Sequence, residues 1–497
     1  MSHLNSDFLW FEKDNVAKLF VRNNNIWMEV SLSDKPFESF INGDPEITFE
    51  GIRLNICKDI SKSFILTDSF GSVPCYSFFE FGVSAITTSP FRLFEELGFT
   101  LEYDLEKMLD YFILSYHGLD NKTLYKGLNF VTPGAKIGLR DIEKKQIFRT
   151  IFQPTNSNIT PSDLAKELLE IAKIKLNGID SNKLVLLLTG GQDSLIGALL
   201  LKLTIGDVDC ATFGFKNSVD LEWSEHRHKM LFPNSKHFTF NIEEFQINSS
   251  NDETYSCSLG GFGPYTSIYY ESFFDKLKTL GKEYFIFSDH FEAIRKKIKN
   301  SDYFVENYTT PKEVVNRYFT NLDLYNEHLT KIELEIFSKF SVDPFYEFYF
   351  FDRNSRGMFY KNVLARKHGK AKITLINNAE FLNRNFNFIR QTGQFPYDGI
   401  LDYLLNELQI KDRNWLFPPL NNSKPIPIQP LNDLKRVRTH FLEMLKKENS
   451  NFLESLFKRD ELVKALTTME MGANDPWLLL RIYQILVARN YEKNTNM

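Results

Sequence analysis

The chain has 497 residues, enough for two or three domains with their own cores, and its formal net charge of −5 is not the basic excess of a typical nucleic-acid-binding protein. Its four cysteines stand far apart without a CxxC pair, which argues against a zinc ribbon and a disulfide framework. Because the sequence has no apolar leader segment and no run of about 18 apolar residues, it predicts a cytoplasmic protein that enters no membrane.

Residues 1–155 are typical of short strands separated by turn residues. Residues 64–68 form one predicted strand, and residues 75–79 and 83–88 predict the hairpin that follows it. Helical periodicity then covers residues 104–116. This mixture of short strands and helices predicts an α+β domain.

The stretch of residues 183–203, KLVLLLTGGQDSLIGALLLKL, combines three local patterns. Residues 184–188 are a continuous apolar run, as expected for a strand buried on both faces of a parallel sheet. Residues 195–203 are rich in leucine and alanine, which favour a helix. Between them, residues 189–194 form a polar turn with two adjacent glycines. The sequence therefore predicts a strand, a loop and a helix N-terminus in direct succession.

Such a loop is suited to an anion. Backbone N–H groups point outward at a helix N-terminus, where the helix dipole adds positive charge. Gly190 and Gly191 allow positive φ and let an anion approach the backbone closely, while Thr189 and Ser194 add hydroxyl donors. A carboxylate at Asp193 would repel phosphate unless it binds a bridging Mg²⁺. The alternative is an ordinary glycine turn with Asp193 near the helix cap.

Three further short strands are predicted, at residues 209–215, 235–240 and 284–287. Helices are predicted between them, at residues 224–231 and 271–280. Strands that alternate with helices indicate a parallel, doubly wound α/β sheet, which binds ligands at the carboxyl ends of its strands.

The last part of the chain, residues 311–497, is predicted to be helical, and it is rich in phenylalanine, tyrosine and leucine. Residues 415–425 are proline-rich and form a predicted loop that contains Lys424. The final helices are predicted at residues 431–445 and 475–489.

Together these motifs resemble the asparagine synthetase superfamily. The string TGGQDS at residues 189–194 is similar to the S-G-G-x-D-S pyrophosphate loop of ATP-pyrophosphatases, with Thr189 in place of the first serine. Residues 415–425 resemble the family's lysine-bearing stretch. The N-terminal part resembles the second half of a class II glutamine amidotransferase domain through, in order, Asp68, Gly71, Pro74, Tyr76, residues 87–89, residues 123–128 and Pro133-Gly134.

This resemblance implies a chain of two parts. Residues 1–155 would form an α+β sandwich similar to a truncated, degenerate glutamine amidotransferase domain. Residues 156–497 would form the synthetase domain, with a parallel sheet over about 180–300 and a helical extension over about 311–497. Ser2 stands where a working glutaminase needs a cysteine nucleophile, so glutaminase activity is expected to be absent, as in β-lactam synthetases and lasso-peptide cyclases.

The resemblance also implies a set of site residues. Asp193 and Asp289 would bind Mg²⁺, and Glu292 would transfer a proton. Lys424, if it is not simply one lysine of a flexible loop, would stabilise charge on the reacting phosphate. The residues implied to contact ATP are Leu188, Thr189, Gly190, Gly191, Asp193, Ser194, Phe213 and Gly214.

Three of these regions have structural alternatives. The glycines of the family's second phosphate motif are missing, and Ser288 or Asp289 with Glu292 also fits a helix capping box. Arg295 and the lysines after it fit pyrophosphate binding or a solvated helix face, of which we favour the solvated face. His237 matches a family histidine and equally fits a surface position on an edge strand.

The implied activity is that of an ATP-dependent carboxylate–amine ligase that adenylates its carboxylate and releases pyrophosphate and AMP. The expected partners are ATP, Mg²⁺, a small-molecule or peptide carboxylate and an amine, but no nucleic acid and no membrane. A homodimer or a partner from the same biosynthetic cluster stays open. Two alternatives are a scaffold protein that has lost catalysis and a nucleic-acid-modifying enzyme, and the missing CxxC pair argues against the second.

Overall fold

The computed structural model describes most of the chain. It leaves out residues 1–2, 5–6, 15, 24–25, 42–50, 69–72, 100–101, 115–121, 132, 142–146, 149–157, 217, 245–266, 289–290, 296–308, 340–364, 366–370, 414, 417–428, 449–450, 473–474 and 496–497. The described residues form three β-sheets, two of them N-terminal and one central.

Each N-terminal sheet has six strands. One has the order β1-β5-β6-β7-β11-β12 and the other β10-β8-β9-β2-β3-β4. Neighbouring strands are antiparallel except for β1 and β5. The strands are β1 His3–Leu4, β2 Phe8–Lys13, β3 Val16–Asn23, β4 Ile26–Val30, β5 Phe37–Ile41, β6 Ile52–Ile56, β7 Phe64–Thr67, β8 Tyr76–Glu80, β9 Val83–Thr87, β10 Leu128–Phe130, β11 Ala135–Gly138 and β12 Ile147–Phe148.

The α-helices of the described residues are numbered in chain order. They are α1 Pro90–Leu97, α2 Leu105–Leu114, α3 Pro161–Leu176, α4 Gln192–Thr204, α5 Val219–Leu231, α6 Ser267–Thr279, α7 Lys312–Tyr318, α8 Leu322–Lys339, α9 Ala379–Thr392, α10 Tyr397–Glu407, α11 Gln429–Lys447, α12 Asn451–Leu456, α13 Arg459–Thr468 and α14 Asp475–Thr495. Polar residues fix several starts. Thr160 and Asp163, for example, form a reciprocal capping box at α3.

The two N-terminal sheets pack face to face over an apolar core. Phe8 and Trp10 of β2 meet Leu54 of β6 and Ile65 of β7, and all four side chains are fully buried. Because side chains alternate along a strand, Leu9 points to the opposite face and joins the core beneath α1 and α2. The predicted strand at 64–68 and the predicted hairpin are confirmed as β7, β8 and β9.

The central sheet is entirely parallel and has the order β15-β14-β13-β16-β17. Its strands are β13 Leu184–Leu187, β14 Cys210–Gly214, β15 His237–Asn241, β16 Tyr284–Ile286 and β17 Ala371–Ile373. This arrangement confirms the predicted parallel sheet with helices, and β14, β15 and β16 correspond to the three strands predicted after the loop.

The path of the chain through this sheet creates a crevice. From the central strand β13 the chain moves outward through β14 to β15, and then returns to β16 on the other side of β13. In such sheets the loops after the two strands at the reversal point diverge, and ligands bind between them at the carboxyl ends. The loop that follows β13 and the turn that follows β16 therefore face one crevice.

One prediction for the C-terminal part was wrong, because the residues after 311 are not all helical. Strand β17 adds a fifth parallel strand next to β16. It has three residues, Ala-Lys-Ile, too short a pattern to be recognised in sequence. Its Lys372 is buried, and the ammonium nitrogen lies 5.5 Å from the ring centre of Phe287.

Gly197 allows α4 to lie close to the end of β16. A β-carbon at Gly197 would lie 2.6 Å from the hydroxyl oxygen of Ser288, which follows β16 closely. This buried hydroxyl has no hydrogen-bond partner among the described residues. The contact between Gly197 and the Ser288 hydroxyl therefore sets the distance between α4 and the end of β16, which both border the crevice.

We expect Gly197→Ala to lower the free energy of unfolding by about 1–3 kcal/mol, because the added methyl group overlaps the Ser288 hydroxyl. Ser288→Ala alone should be neutral or stabilising, since it removes an unpaired buried hydroxyl. The double variant should regain most of the loss. Urea unfolding measures all three, and a double variant as unstable as Gly197→Ala would contradict the contact.

Two histidines pack between α5 and the edge strand β15. The rings of His228 and His237 stack with their centres 5.0 Å apart. Nε2 of His237 lies 2.9 Å from the Thr212 hydroxyl, and Nε2 of His228 lies 3.0 Å from the Ser235 hydroxyl. Burial lowers the pKa of both, that of His237 to about 4. His237 begins β15, so it lies at the amino end of the sheet, away from the crevice.

We expect the protein to lose stability as the pH falls from 6.5 to about 4. In this window the unfolded state binds a proton on His237 and the folded state does not, so acid favours unfolding. His237→Gln should remove a pH-dependent contribution on the order of 2 kcal/mol. Thermal unfolding across this range measures it. The exposed His226→Gln is the control, and an equal effect of both variants would contradict the assignment.

Candidate functional site

The loop Thr189–Gly191 joins the carboxyl end of β13 to the first turn of α4. Thr189, Gly191 and Gln192 are exposed, whereas the strand before them and most of α4 after them are buried. The first N–H groups of a helix have no acceptor inside the helix. The loop therefore presents a helix N-terminus to the open crevice.

Two hydroxyl groups hold the loop in shape. The Ser194 hydroxyl lies 2.9 Å from the Thr189 carbonyl and 3.0 Å from the Gly191 carbonyl, and it accepts the Thr189 N–H. The Thr189 hydroxyl accepts the Gly191 N–H at 3.0 Å. The Ser194 side chain is buried, so the structure places it as a support of the loop and not as a surface donor.

The two glycines do not use the positive φ that their residue type allows. Gly191 has an extended conformation with φ −72° and ψ 156°, and neither glycine has positive φ. The glycines provide room instead. A β-carbon at Gly190 would lie 3.2 Å from both Asp220 Oδ1 and Trp223 Cβ, because the loop packs against the start of α5. At this site Asp220 Oδ1 accepts the Gly190 N–H at 3.0 Å.

Arg227 of α5 lies under the loop and is fully buried. Its Nη1 donates to the carbonyls of Thr189 at 3.0 Å and Gly191 at 2.7 Å, and its Nη2 donates to the Leu416 carbonyl at 2.8 Å. Its Nε has no hydrogen-bond partner among the described residues. Burial lowers the pKa of this guanidinium to about 10, so it remains positively charged at neutral pH.

This arginine determines which way the loop amides point. In a trans peptide the carbonyl and the following N–H point in opposite directions. Because Arg227 holds the carbonyls of Thr189 and Gly191 inward, the N–H groups of Gly190 and Gln192 are turned outward. Asp220 accepts the first of them, and the second lies in the exposed first turn of α4. The Gly190 N–H is therefore already bonded, and the Gln192 N–H is the outward amide that could donate to an anion.

Asp193 is paired with Arg295 across the crevice. Nε of Arg295 lies 3.0 Å from Oδ1 of Asp193, and Nη2 lies 3.1 Å from Oδ2, a two-pronged ion pair. Asp193 belongs to the first turn of α4, and Arg295 follows the short 3-10 turn Phe291–Ile294 after β16. The preferred prediction of a solvated face was therefore wrong for Arg295.

The C-terminal helices reach the same loop. Tyr397, at the start of α10, donates its hydroxyl to the Gln192 carbonyl at 3.3 Å, and burial raises the pKa of that hydroxyl. The Leu416 carbonyl accepts from Arg227, as described above. Lys424 itself lies outside the described residues, as do Asp289 and Ser2. Their predicted roles stay predictions.

Four other predicted site residues have defined positions. Leu188 is buried and its N–H donates to Ala211, so it extends the strand β13 toward the loop. The ring of Phe213, at the end of β14, packs on Phe273 with centres 4.9 Å apart. A β-carbon at Gly214 would lie 2.7 Å from the Ser218 hydroxyl. Glu292 belongs to the 3-10 turn after β16, and its side chain lies outside what the structure describes.

Sequence reasoning missed the role of Arg227. A signal existed, because Ser224, Arg227, His228 and Leu231 recur at the spacing of one helix face and are the buried residues of α5. Three of these four are polar, so the apolar pattern that normally marks a buried face was absent. Polar residues on a core-facing stripe next to a phosphate-type loop are the signal to look for.

An open cleft of about 410 Å³ lies along α5 beside the loop. The residues that line it are Glu222, Trp223, Glu225, His226 and Lys229. Trp223 also packs against Gly190, so this cleft borders the loop, and its size suits a small molecule.

No protein-family model matches the chain, and no curated protein matches it at a significant level. Within the described ranges, every helix is too short or too polar to cross a bilayer.

Proposed function

We propose that this protein is an ATP-dependent ligase that joins a carboxylate to an amine through an adenylated intermediate. The observation that carries the proposal is the loop geometry imposed by Arg227, which turns the Gln192 N–H outward at the N-terminus of α4. Such amides bind phosphate groups. A buried guanidinium whose described partners are all carbonyls adds positive charge beneath them, which an anion would balance.

Asp193 fits a role in binding Mg²⁺. In nucleotide sites this ion takes one or two carboxylates and completes its shell with phosphate oxygens and water, so a carboxylate beside the loop is sufficient. The described residues contain no group of three or more His, Cys, Asp or Glu that could hold a metal. We therefore assign to Asp193 a metal that arrives with the nucleotide and offsets the charge of its phosphates.

In the proposed reaction, an oxygen of the substrate carboxylate attacks the α-phosphorus of ATP, and the bond between the α and β phosphates breaks. The outward Gln192 N–H and the positive end of the α4 dipole would hold the departing pyrophosphate and stabilise the negative charge that develops on it. An amine nitrogen then attacks the acyl carbon. AMP leaves with the bonding electrons, and the amine releases a proton. Glu292 and Lys424 are proposed for proton transfer and charge stabilisation.

We further propose that the N-terminal part is a degenerate glutamine amidotransferase-like domain. Two packed sheets with helices on an outer face agree with the α+β sandwich that this proposal requires. A degenerate domain of this kind would supply no ammonia from glutamine. The amine is then free ammonia or part of a larger substrate.

The proposal is tested by ATP–pyrophosphate exchange across a panel of amino-acid, peptide and sugar-acid carboxylates. Transfer of radiolabelled pyrophosphate into ATP that depends on one carboxylate class would support adenylation and identify that class. Calorimetric titration with ATP·Mg²⁺ accompanies it. If the protein neither binds the nucleotide nor exchanges pyrophosphate with any carboxylate, the ligase proposal is wrong.

One observation favours a second function, that of a nucleotide-binding or scaffold protein without catalysis. Arg295 bonds both carboxylate oxygens of Asp193, and a permanent pair would keep Mg²⁺ from this carboxylate. ATP binding without exchange for any carboxylate in the panel would support this alternative over the ligase.

A further inference from the structure

The pairing of Asp193 with Arg295 joins the two strands that form the crevice. Asp193 follows β13 and Arg295 follows β16, and these strands are neighbours. Their side chains are partly exposed, 23% for Asp193 and 29% for Arg295, so the pair borders the open crevice. The ion pair therefore lies next to the position that the phosphates of a nucleotide bound at the loop would occupy.

The main chain beside Arg295 is fixed while its side chain is not enclosed. Ala293 and Ile294 are buried, and Asn385 of α9 donates to the Ala293 carbonyl at 3.0 Å. When the ion pair opens, the guanidinium consequently stays within a side chain's reach of the loop. A guanidinium is also well matched in shape to two oxygens of a phosphate group.

A metal ion and Arg295 compete for the same carboxylate. Both prongs of the guanidinium are bonded to Asp193, one to each oxygen. A divalent cation sharing that carboxylate would lie next to the positive guanidinium in a partly desolvated crevice, where repulsion is strong. The metal can therefore bind Asp193 only when Arg295 releases it, and the phosphates of ATP would draw the guanidinium away.

Resting on the function proposed above, we propose that Arg295 makes metal binding depend on the nucleotide. In the protein without ATP it holds Asp193. When ATP·Mg²⁺ binds, the Asp193 carboxylate binds the metal and the Arg295 guanidinium binds a phosphate oxygen. Arg295 is thus a nucleotide-binding residue that also keeps the metal position closed until the nucleotide is present.

The experiment measures Mn²⁺ binding by electron paramagnetic resonance and ATP·Mg²⁺ binding by calorimetry, in the full-length protein. Wild type should take up no Mn²⁺ at this site without ATP, whereas Arg295→Gln should take it up weakly through the single Asp193 carboxylate, and the added Asp193→Asn change should abolish that gain. Arg295→Gln should weaken ATP·Mg²⁺ binding by about 10- to 100-fold. Arg295→Lys keeps the positive charge but not the planar fork. Its Mn²⁺ uptake and its ATP·Mg²⁺ affinity should lie between those of wild type and Arg295→Gln.

Arg22→Gln is the matched control, because Arg22 forms a similarly exposed pair with Asp7 in the N-terminal part. It should behave as wild type in both measurements. If wild type binds ATP·Mg²⁺ and Arg295→Gln binds it equally well without gaining Mn²⁺, this inference is overturned and the proposed function stands. If wild type does not bind ATP·Mg²⁺ at all, both are overturned.

Discussion

Arg227→Lys should lower the free energy of unfolding by about 2–4 kcal/mol and weaken ATP binding by at least about tenfold. The guanidinium bridges three carbonyls on two separate segments of the chain, at Thr189, Gly191 and Leu416. A lysine ammonium is a compact point charge and cannot reproduce this planar fork. Chemical denaturation and calorimetric titration with ATP·Mg²⁺ measure the two effects.

Arg227→Met tests the same contacts without any charge. Methionine fills much of the space but donates to none of the three carbonyls, so its loss of stability should be at least as large as that of the lysine variant. Its loss of ATP affinity should be at least as large, because the two loop carbonyls are released in both variants.

Arg481→Lys provides the control for a buried arginine away from the loop. Arg481 of α14 is 6% exposed, and it donates to the Trp477 carbonyl and the Thr310 hydroxyl. This variant should lose stability and keep its affinity for ATP. If Arg481→Lys and Arg227→Lys reduce ATP binding equally, then Arg227 acts through general stability and not through the loop.

The strand and helix around the loop could be predicted because their signals are local. An apolar run without alternation indicates a strand covered on both faces, and β13 is buried throughout. The parallel sheet followed from strands that alternate with helices. The short strand β17 could not be predicted, because three residues that include a lysine carry no period and join the sheet only through tertiary packing.

The candidate site was less predictable, because its important contacts link residues far apart in sequence. In the sequence, a glycine is compatible with positive φ and also with close packing. Only the positions of Trp223 and Asp220 show that Gly190 is needed because a side chain would not fit there. Likewise Arg295 was one basic residue in a charged run. Its pairing with Asp193 depends on β13 and β16 being neighbours, which no local pattern specifies.

Asp193→Asn should reduce ATP–pyrophosphate exchange by about 100-fold or more, because it removes the charge that binds the metal while keeping the side-chain shape. When Mg²⁺ is absent, the same substitution should not weaken the binding of ATP. Without the metal, a carboxylate at this position repels phosphate, and it also occupies Arg295. The variant should therefore bind metal-free ATP as tightly as wild type or more tightly.

Asp220→Asn is the matched control, since an asparagine oxygen can still accept the Gly190 N–H that Asp220 accepts. It should keep the dependence of ATP binding on Mg²⁺, as measured by titrations with and without the metal. The two aspartates border the same loop, Asp193 from the first turn of α4 and Asp220 from the first turn of α5, so general electrostatics affects both. If ATP binding loses its dependence on Mg²⁺ in Asp193→Asn alone, the ion is assigned to Asp193. If the exchange rate of that variant is unchanged, Asp193 does not bind the metal, and the proposed adenylation chemistry loses its basis.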